Sequence, residues 1–503
     1  MHELKRICSA VLVFGGFLGA ASFALAAPTL IENVQVITMQ SDETPRAGAV
    51  LVEEGRIAAV GPLAAIDVPA EVQRIDGRGG YLIPGLTDMH AHIDTPESLK
   101  LHLAYGVTTI RNMWGTDEIL AMQQEEAGGS LLAPDIETVS PIIDGEPPFH
   151  EGSVVLKGPE EVDELVSELE NKGYTALKTY ELIDRESYVA LAQAANDRGM
   201  TLEGHVPQAV GAFDAVLLGH DTLEHSMRVD AAIVSPAFPY SDVFRSRELV
   251  DLVARIHAGE LGYEDVFRRD MLRGLAGLMT ENDAALVPTL GVYEVLSYSA
   301  EDREAMAKHE LVDFINPIYK KYWLEEIPAP EGEMPGRGPQ LSDADIASLD
   351  EFASFEHGRW VGIMHDEGVL VMAGTDAPNP GMFHGYSLHD ELAHMVDWAG
   401  LSTYEALQTA TANPASYRDI EGQRGVIAPG AEADLILLEA NPLDDIANTK
   451  TIRGVMADGQ WLDRTRLDGL LKEVRDAYAS MARELEAGQA QSSGFPVHLH
   501  GRH

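Results

Sequence analysis

The chain has 503 residues, 45% of them hydrophobic, which is ample for one large domain plus a smaller one or for an elaborated barrel. Its 81 acidic residues against 36 basic ones give a net charge of −45 at pH 7, a surface that repels phosphate backbones and so excludes a nucleic-acid partner. The same charge leaves two readings open, a cationic substrate or a solvated acidic surface suited to salty surroundings.

In chain order, Lys5 and Arg6 open a short positive stretch, and an apolar run follows from Ile7 to Ala24, broken by Gly15, Gly16 and Gly19. Ala24-Leu25-Ala26 then offers small residues at the positions a signal peptidase reads. Residues 1–26 are therefore expected to be a cleavable signal peptide, and the mature protein to be periplasmic or secreted, with no membrane contact after cleavage. An uncleaved anchor is the alternative reading, and no other stretch approaches the ~20 apolar residues of a membrane span. Cys8, the only cysteine, lies in this leader, so the mature chain is expected to have no disulfide, thiolate ligand or cysteine nucleophile.

Residues 29–80 read as short strands and turns. Val34, Val36 and Thr38 alternate, and Glu53-Glu54-Gly55-Arg56 between two apolar runs is a hairpin signal. After Gly85 the rhythm changes to apolar, β-rich runs separated by helical stretches, the pattern of β/α units around a parallel sheet. Eight runs recur: Tyr81–His92, Val107–Met113, Ile136–Ile143, Thr175–Tyr180, Thr201–Val206, Thr222–Ser226, Ala284–Leu290 and Val369–Asp376. Eight units are the number that closes a TIM barrel. The long gaps holding Val243–Asn282 and the Pro/Gly-rich stretch Pro328–Gln340 are the expected lids or excursions.

Beyond the last barrel helix, Thr403–Thr411, the β pattern returns through Ala433–Leu438 and Thr451–Gly459, which suggests one small β domain built from both chain ends. Residues 466–488 read as an amphipathic helix, and the Gly/Ser/His tail after it as disordered. The expected division is signal peptide 1–26, terminal β domain 27–84 and 418–465, barrel 85–417, and a C-terminal helix with a flexible tail 466–503.

Metal sites in such barrels are built at the carboxyl ends of the strands. His90 and His92 end the first run, and on a strand residues i and i+2 share a face. The triplet alone says little, since His498-Leu499-His500 repeats it in the tail; its position carries the inference. His205 ends the fifth run, His225 the sixth and Asp376 the eighth, and imidazole with carboxylate is a donor set that suits zinc. Any one of these alone is more simply a satisfied structural residue.

Lys178 ends the fourth run among apolar neighbours. A lysine aimed into a barrel is costly unless its charge is changed or paired. It is either an edge lysine reaching for water or one that reacts with carbon dioxide to give a carbamate able to bridge two metal ions.

Pro84-Gly85-Leu86-Thr87-Asp88-Met89-His90-Ala91-His92, Lys178, His205, His225 and Gly374-Thr375-Asp376 together resemble the amidohydrolase superfamily, nearest to its imidazolonepropionase-like and Xaa-Pro dipeptidase-like branch. The likeness continues through Ala410–Ala415 and Gly430–Leu435. The resemblance implies an α/β fold, a (β/α)8 TIM barrel with a small β-sandwich domain formed by both chain ends, and a binuclear, usually Zn2+, centre. His90, His92 and Asp376 would hold one ion and His205 and His225 the other, with carboxylated Lys178 and a hydroxide between them. Two cations lower the pKa of the water they share. Asp376 would be the catalytic residue that moves the nucleophile's proton to the leaving amine.

Deaminase-type relatives usually carry a glutamate soon after the fifth-strand histidine, whereas Val206-Pro207-Gln208 follows His205 here. That departure, together with Lys178, favours hydrolysis of an amide or peptide-like C–N bond in a small substrate such as a dipeptide or N-acyl amino acid. A lactonase or esterase on the same site, and a metal-binding pseudo-enzyme, are the rival readings. Tyr180, Arg228, His150 and His384 are the expected substrate contacts, each weighed against a plain structural role. A homo-oligomer is left open.

Overall fold

The computed structural model describes residues 27–40, 44–238, 247–295, 300–324 and 356–487. The expected leader 1–26, the stretch 328–340 and the tail after 487 lie outside the described residues.

Ten short parallel strands form the frame of the larger unit. β6 (Leu86–Ala91), β7 (Val107–Asn112) and β8 (Asp135–Thr138) make a three-stranded sheet in that order. β9 (Ile142–Asp144), β10 (Val154–Val155), β11 (Ala176–Thr179), β12 (Thr201–Gly204), β13 (Thr222–Glu224), β14 (Ala285–Val287) and β15 (Leu370–Val371) make a seven-stranded one, ordered β10-β9-β11-β12-β13-β14-β15. β6, β7, β11, β13 and β14 are buried at every residue, as strands covered on both faces must be. Helices return the chain between strands. Arg185–Arg198, for example, starts on Asp184, whose carboxylate accepts from the Glu186 and Ser187 amides, and stops at Gly199 in the left-handed region.

Each of the eight apolar runs contains a strand, but two runs are split. The first divides at Gly85, where a Cβ would lie 2.1 Å from Thr108 Oγ1, into β5 (Tyr81–Pro84) and β6. The third divides at Pro141, which has no amide hydrogen to continue a ladder, into β8 and β9. The ladders therefore form two parallel sheets, and the closed eight-stranded ring expected from the sequence is not drawn by them. At the other edge β15 is only two residues long, and the chain beyond it turns through Asp376 at φ +59°.

Strands from both chain ends form one mixed sheet. Its order is β18 (Gln460–Asp463), β17 (Ile452–Ala457), β16 (Leu435–Leu438), β5, β1 (Thr29–Val36), β2 (Arg46–Glu53) and β3 (Arg56–Gly61), with β4 (Gln73–Asp76) also on β1. β5 and β16 join the ends antiparallel, Tyr81 opposite Leu438 and Pro84 opposite Leu435. β1 serves two partners on one edge because Asn33, at φ +57°, offsets its halves: Thr29–Glu32 pair β4 and Gln35–Val36 pair β5. These ladders describe one hydrogen-bonded path, with β4 branching from β1, and not two facing layers. The hairpin at Glu54-Gly55 forms as expected, with both residues at positive φ.

The C-terminal helix runs Arg464–Glu486, capped by the Asp463 carboxylate on the Arg466 amide. Val474 and Tyr478 on its inner face pack with Leu101, Phe314, Tyr319, Trp323 and Phe383, pinning the segment after β14 against the helix that follows β6. No described helix is long and apolar enough to cross a membrane.

Candidate metal centre

The carboxyl ends of the strands converge on one cluster of side chains. His90 lies in β6 and His92 just past it, His205 follows β12, His225 follows β13, and Lys178 lies in β11. With Asp376 after β15, none of the six is more than 4% exposed. Asp376 Oδ1 lies 2.8 Å from His92 Nε2 and 3.2 Å from His90 Nε2. The His90 ring is 5.3 Å from that of His92 and 4.7 Å from that of His225, which in turn is 4.8 Å from His205. Four imidazoles and a carboxylate thus form a continuous group. Lys178 lies over Gly204, where a Cβ would meet its Cδ at 2.7 Å, so a glycine before His205 makes room for the lysine.

The backbone is strained where the cluster forms. His225, Thr289 and Asp376 are non-glycine residues at φ +58°, +45° and +59°. Such conformations are uncommon, the more so for β-branched threonine, and gather at functional sites. Buried polar contacts brace the adjoining strand ends. Asp88 accepts from the His90 amide at 3.1 Å and from the Thr375 amide and hydroxyl at 3.0 and 2.7 Å, tying the first and last strand ends together. Gly374 fits because a Cβ there would come within 2.7 Å of His90 Cβ.

Three rings are gripped from behind at Nδ1. His90 Nδ1 donates to Glu224 Oε2 at 2.6 Å, His205 Nδ1 donates to Glu181 Oε1 at 2.8 Å, and His225 Nδ1 lies 2.6 Å from Thr289 Oγ1. A metal contact from these rings would then be made by Nε2, the arrangement that orients imidazole ligands in metal proteins. Burial also pushes His92 down to about 4 and His225 well below the usual range, so both are neutral near pH 7, the form that ligates. Burial lowers Lys178 to about 8, against the pull of Glu224 and Asp376, which favour its charged form. The donor set therefore fits one or two divalent cations.

Of the expected substrate contacts, the structure brings Tyr180 and His150 to the cluster. Tyr180 stacks on His205 at 4.2 Å, and its hydroxyl lies 2.8 Å from His150 Nε2. Trp114 and Phe149 adjoin them and make an aromatic wall beside the His205 side of the group. Arg228 is instead ion-paired to Glu181 behind His205. His384 sits beside His102 and 3.2 Å from Asp94, which lies two residues beyond His92 along the chain and accepts from Asn316.

Sequence reading passed over the groups that support the centre: Asp88, Arg111, Glu181 and Glu224. Arg111 is fully buried and bonds Glu203 Oε2 at 2.9 Å and Glu224 Oε1 at 2.6 Å. Burial pushes the Glu224 carboxyl up, but Arg111 and His90 outweigh it and hold it well below the usual carboxylate range. One signal was available: an arginine and two glutamates stand inside strands otherwise made to be buried, where charges must pair.

Comparison with known proteins bears out the resemblance read from the sequence. Residues 359–462 match the Amidohydrolase family. The fold is similar to that of a bottromycin amidohydrolase, with TM-score 0.65 at 22% identity over 89% of this chain and 90% of that one. It is also similar to that of a Xaa-Pro dipeptidase solved with methionine in its active site, with TM-score 0.62 at 20% identity over 87% of this chain and all of that one. At these identities the likeness is one of fold. Adenine deaminase 1 of Jannaschia sp. is 27% identical over 230 residues, 42% of this chain and 38% of its own length. The chain spans well under half the length of the curated relatives it matches.

Proposed function

We propose that this chain, with its amidohydrolase segment and amidohydrolase-like fold, is an exported metal-dependent hydrolase that cleaves a C–N bond in a small amide such as a dipeptide or N-acyl amino acid. The observation that carries the reading is the convergence of His90, His92, His205, His225 and Asp376 at the strand ends, three of the rings held at Nδ1 from behind. We read the two parallel sheets as one (β/α)8 barrel. Backbone bonds from Met89 to Ala373 and His92 to Ala377 span one gap, and the Ser140 to Ala176 bond spans the other. The terminal sheet is then the companion domain of residues 27–84 and 418–465, and the apolar leader 1–26 is the export signal.

His90, His92 and Asp376 would hold one ion, His205 and His225 a second, and Lys178, as a carbamate, would stand between them. Bound divalent cations supply Lewis acidity and acidify water held at the centre. The chain's own part is to place bases and donors around that point. Asp376, within hydrogen-bond reach of His90 and His92, is placed to take a proton and return it to the leaving amine. The Tyr180 hydroxyl, steadied by His150, can donate to an oxygen that gains negative charge during attack. The aromatic wall favours a substrate with an apolar or ring-shaped group on that side.

The test is metal analysis of the purified protein followed by initial rates on dipeptides, N-acyl amino acids, lactones and adenine. We expect about two equivalents of metal and turnover of amides. Less than one tightly held equivalent would remove the binuclear reading, and activity confined to lactones would replace amide hydrolysis by ester cleavage. The adenine deaminase relatives give a specific reason to include adenine, and turnover of adenine alone would make the chain a deaminase. Lys178→Ala should abolish activity and most of the second metal; a fully active variant would rule out the carbamate.

A further inference from the structure

Resting on that reading of the centre, we propose that Glu224 and Arg111 are a positioning pair that fixes His90 and thereby sets metal affinity. The geometry holds His90 twice. Glu224 Oε2 accepts from His90 Nδ1 at 2.6 Å, while Glu224 Oε1 accepts from Arg111 Nη2 and from the Thr222 hydroxyl, both at 2.6 Å. Arg111 Nε also donates to the carbonyl of Met89, the residue before His90, at 2.7 Å. The ring is set by the carboxylate and its peptide by the guanidinium that charges that carboxylate.

A purely structural role explains this poorly. Buried ion networks can be replaced by apolar residues of similar volume without loss of stability, so their presence in a strand-lined core is weak evidence for a stabilising purpose. Stability would also be served by the pairing of Arg111 with Glu203 alone, yet the second carboxylate is aimed at a candidate ligand. The His205 side repeats the arrangement with Glu181 and Arg228.

Glu203 supplies the control, since Glu203→Gln removes a charge from the same arginine without touching His90. In Glu224→Gln the amide cannot satisfy both neighbours: its oxygen suits one and its NH2 then opposes the other. We expect Glu224→Gln to weaken Zn2+ binding about 10–100-fold in chelator competition and to alter the visible spectrum of the Co2+-loaded protein, with Glu203→Gln within about threefold of wild type. Equal losses in the two variants, or no loss in Glu224→Gln, would overturn the proposal.

A wild-type protein without metal affinity would instead count against the metal reading. Ring 15N shifts of His90 in metal-free protein then decide the positioning claim by themselves. An Nδ1–H tautomer should be fixed in wild type and mixed in Glu224→Gln, and an unchanged ring would overturn it. Should Glu224→Gln not fold, Thr222→Val, which removes the hydroxyl that Glu224 and Arg111 share, should weaken metal binding in the same direction to a smaller extent, and unchanged affinity there would overturn the proposal.

Discussion

Possible metal donors gather at both ends of the parallel strands, and the two gatherings are handled differently. At the carboxyl ends, His90, His92 and Asp376 bring one donor atom each within 4.8 Å of the others, all three side chains buried. At the amino end of β8, Glu126, Asp135 and Asp458 do the same, as do Asp135, Glu432 and Asp434, but these are half-buried or exposed and contain no imidazole. Arg424 already answers them, with Nη1 2.9 Å from Asp135 and Nε on Glu432. Burial and repulsion from neighbouring acids push Glu126 up to about 7 and, against the pull of Arg424, Asp135 to about 6, so these acids hold their protons to higher pH than free carboxyls do. Closeness of possible donors is thus common to both ends. What distinguishes the first is that its rings are aimed, by Glu224, Glu181 and Thr289.

The largest effect should come from removing the cation beneath the aimed end. Arg111→Met would leave Glu203 and Glu224 buried without their guanidinium, a loss of about 3–5 kcal/mol. It should appear as a steep fall in thermal midpoint, together with weakened metal retention. A loss below about 1 kcal/mol would show that the network bears little on the fold and would erase the contrast with the amino end. Gly374→Ala tests aim more gently. The added methyl would meet His90 Cβ and Val287 Cγ1 at 2.7 Å and the His90 amide nitrogen at 2.8 Å. Overpacking of this kind costs about 1–3 kcal/mol, and because the neighbour is His90, Zn2+ affinity should fall with stability. A destabilised variant with unchanged affinity would mean that the position of His90 tolerates more than the geometry suggests.

The primary candidates were legible because each is a polar residue at the end of an apolar run, where a parallel strand delivers it to one place. Their support was not, because its partners come from distant strands. His90 and Glu224 are 134 residues apart, Arg111 and Glu203 92, and nothing local to either names the other. The same limit hid the strand breaks at Gly85 and Pro141, since periodicity reports that a run is buried and not which sheet it joins. Arg228 shows the converse: it stands three residues after His225 in the chain, while its observed partner, Glu181, lies 47 residues earlier.

The smallest expected effect tests the amino-end cluster. Burial and the nearby Asp135 push Asp434 up to about 8 from an ordinary 3.8, although its carboxylate accepts from the Asp458 amide at 2.9 Å. A carboxyl raised in the folded state binds its proton more tightly folded than unfolded. Its contribution to stability is therefore complete below about pH 4 and is lost as pH rises through about 8. Asp434→Asn keeps an acceptor for the Asp458 amide and cannot ionise. Its thermal midpoint should match wild type near pH 4 and exceed it near pH 8, with a slope that is shallower but not flat, because Glu126 and Asp135 still titrate. Parallel curves for the two proteins would mean that Asp434 is ionised at little cost, and that the amino-end acids are not held apart from the aimed site by their own repulsion.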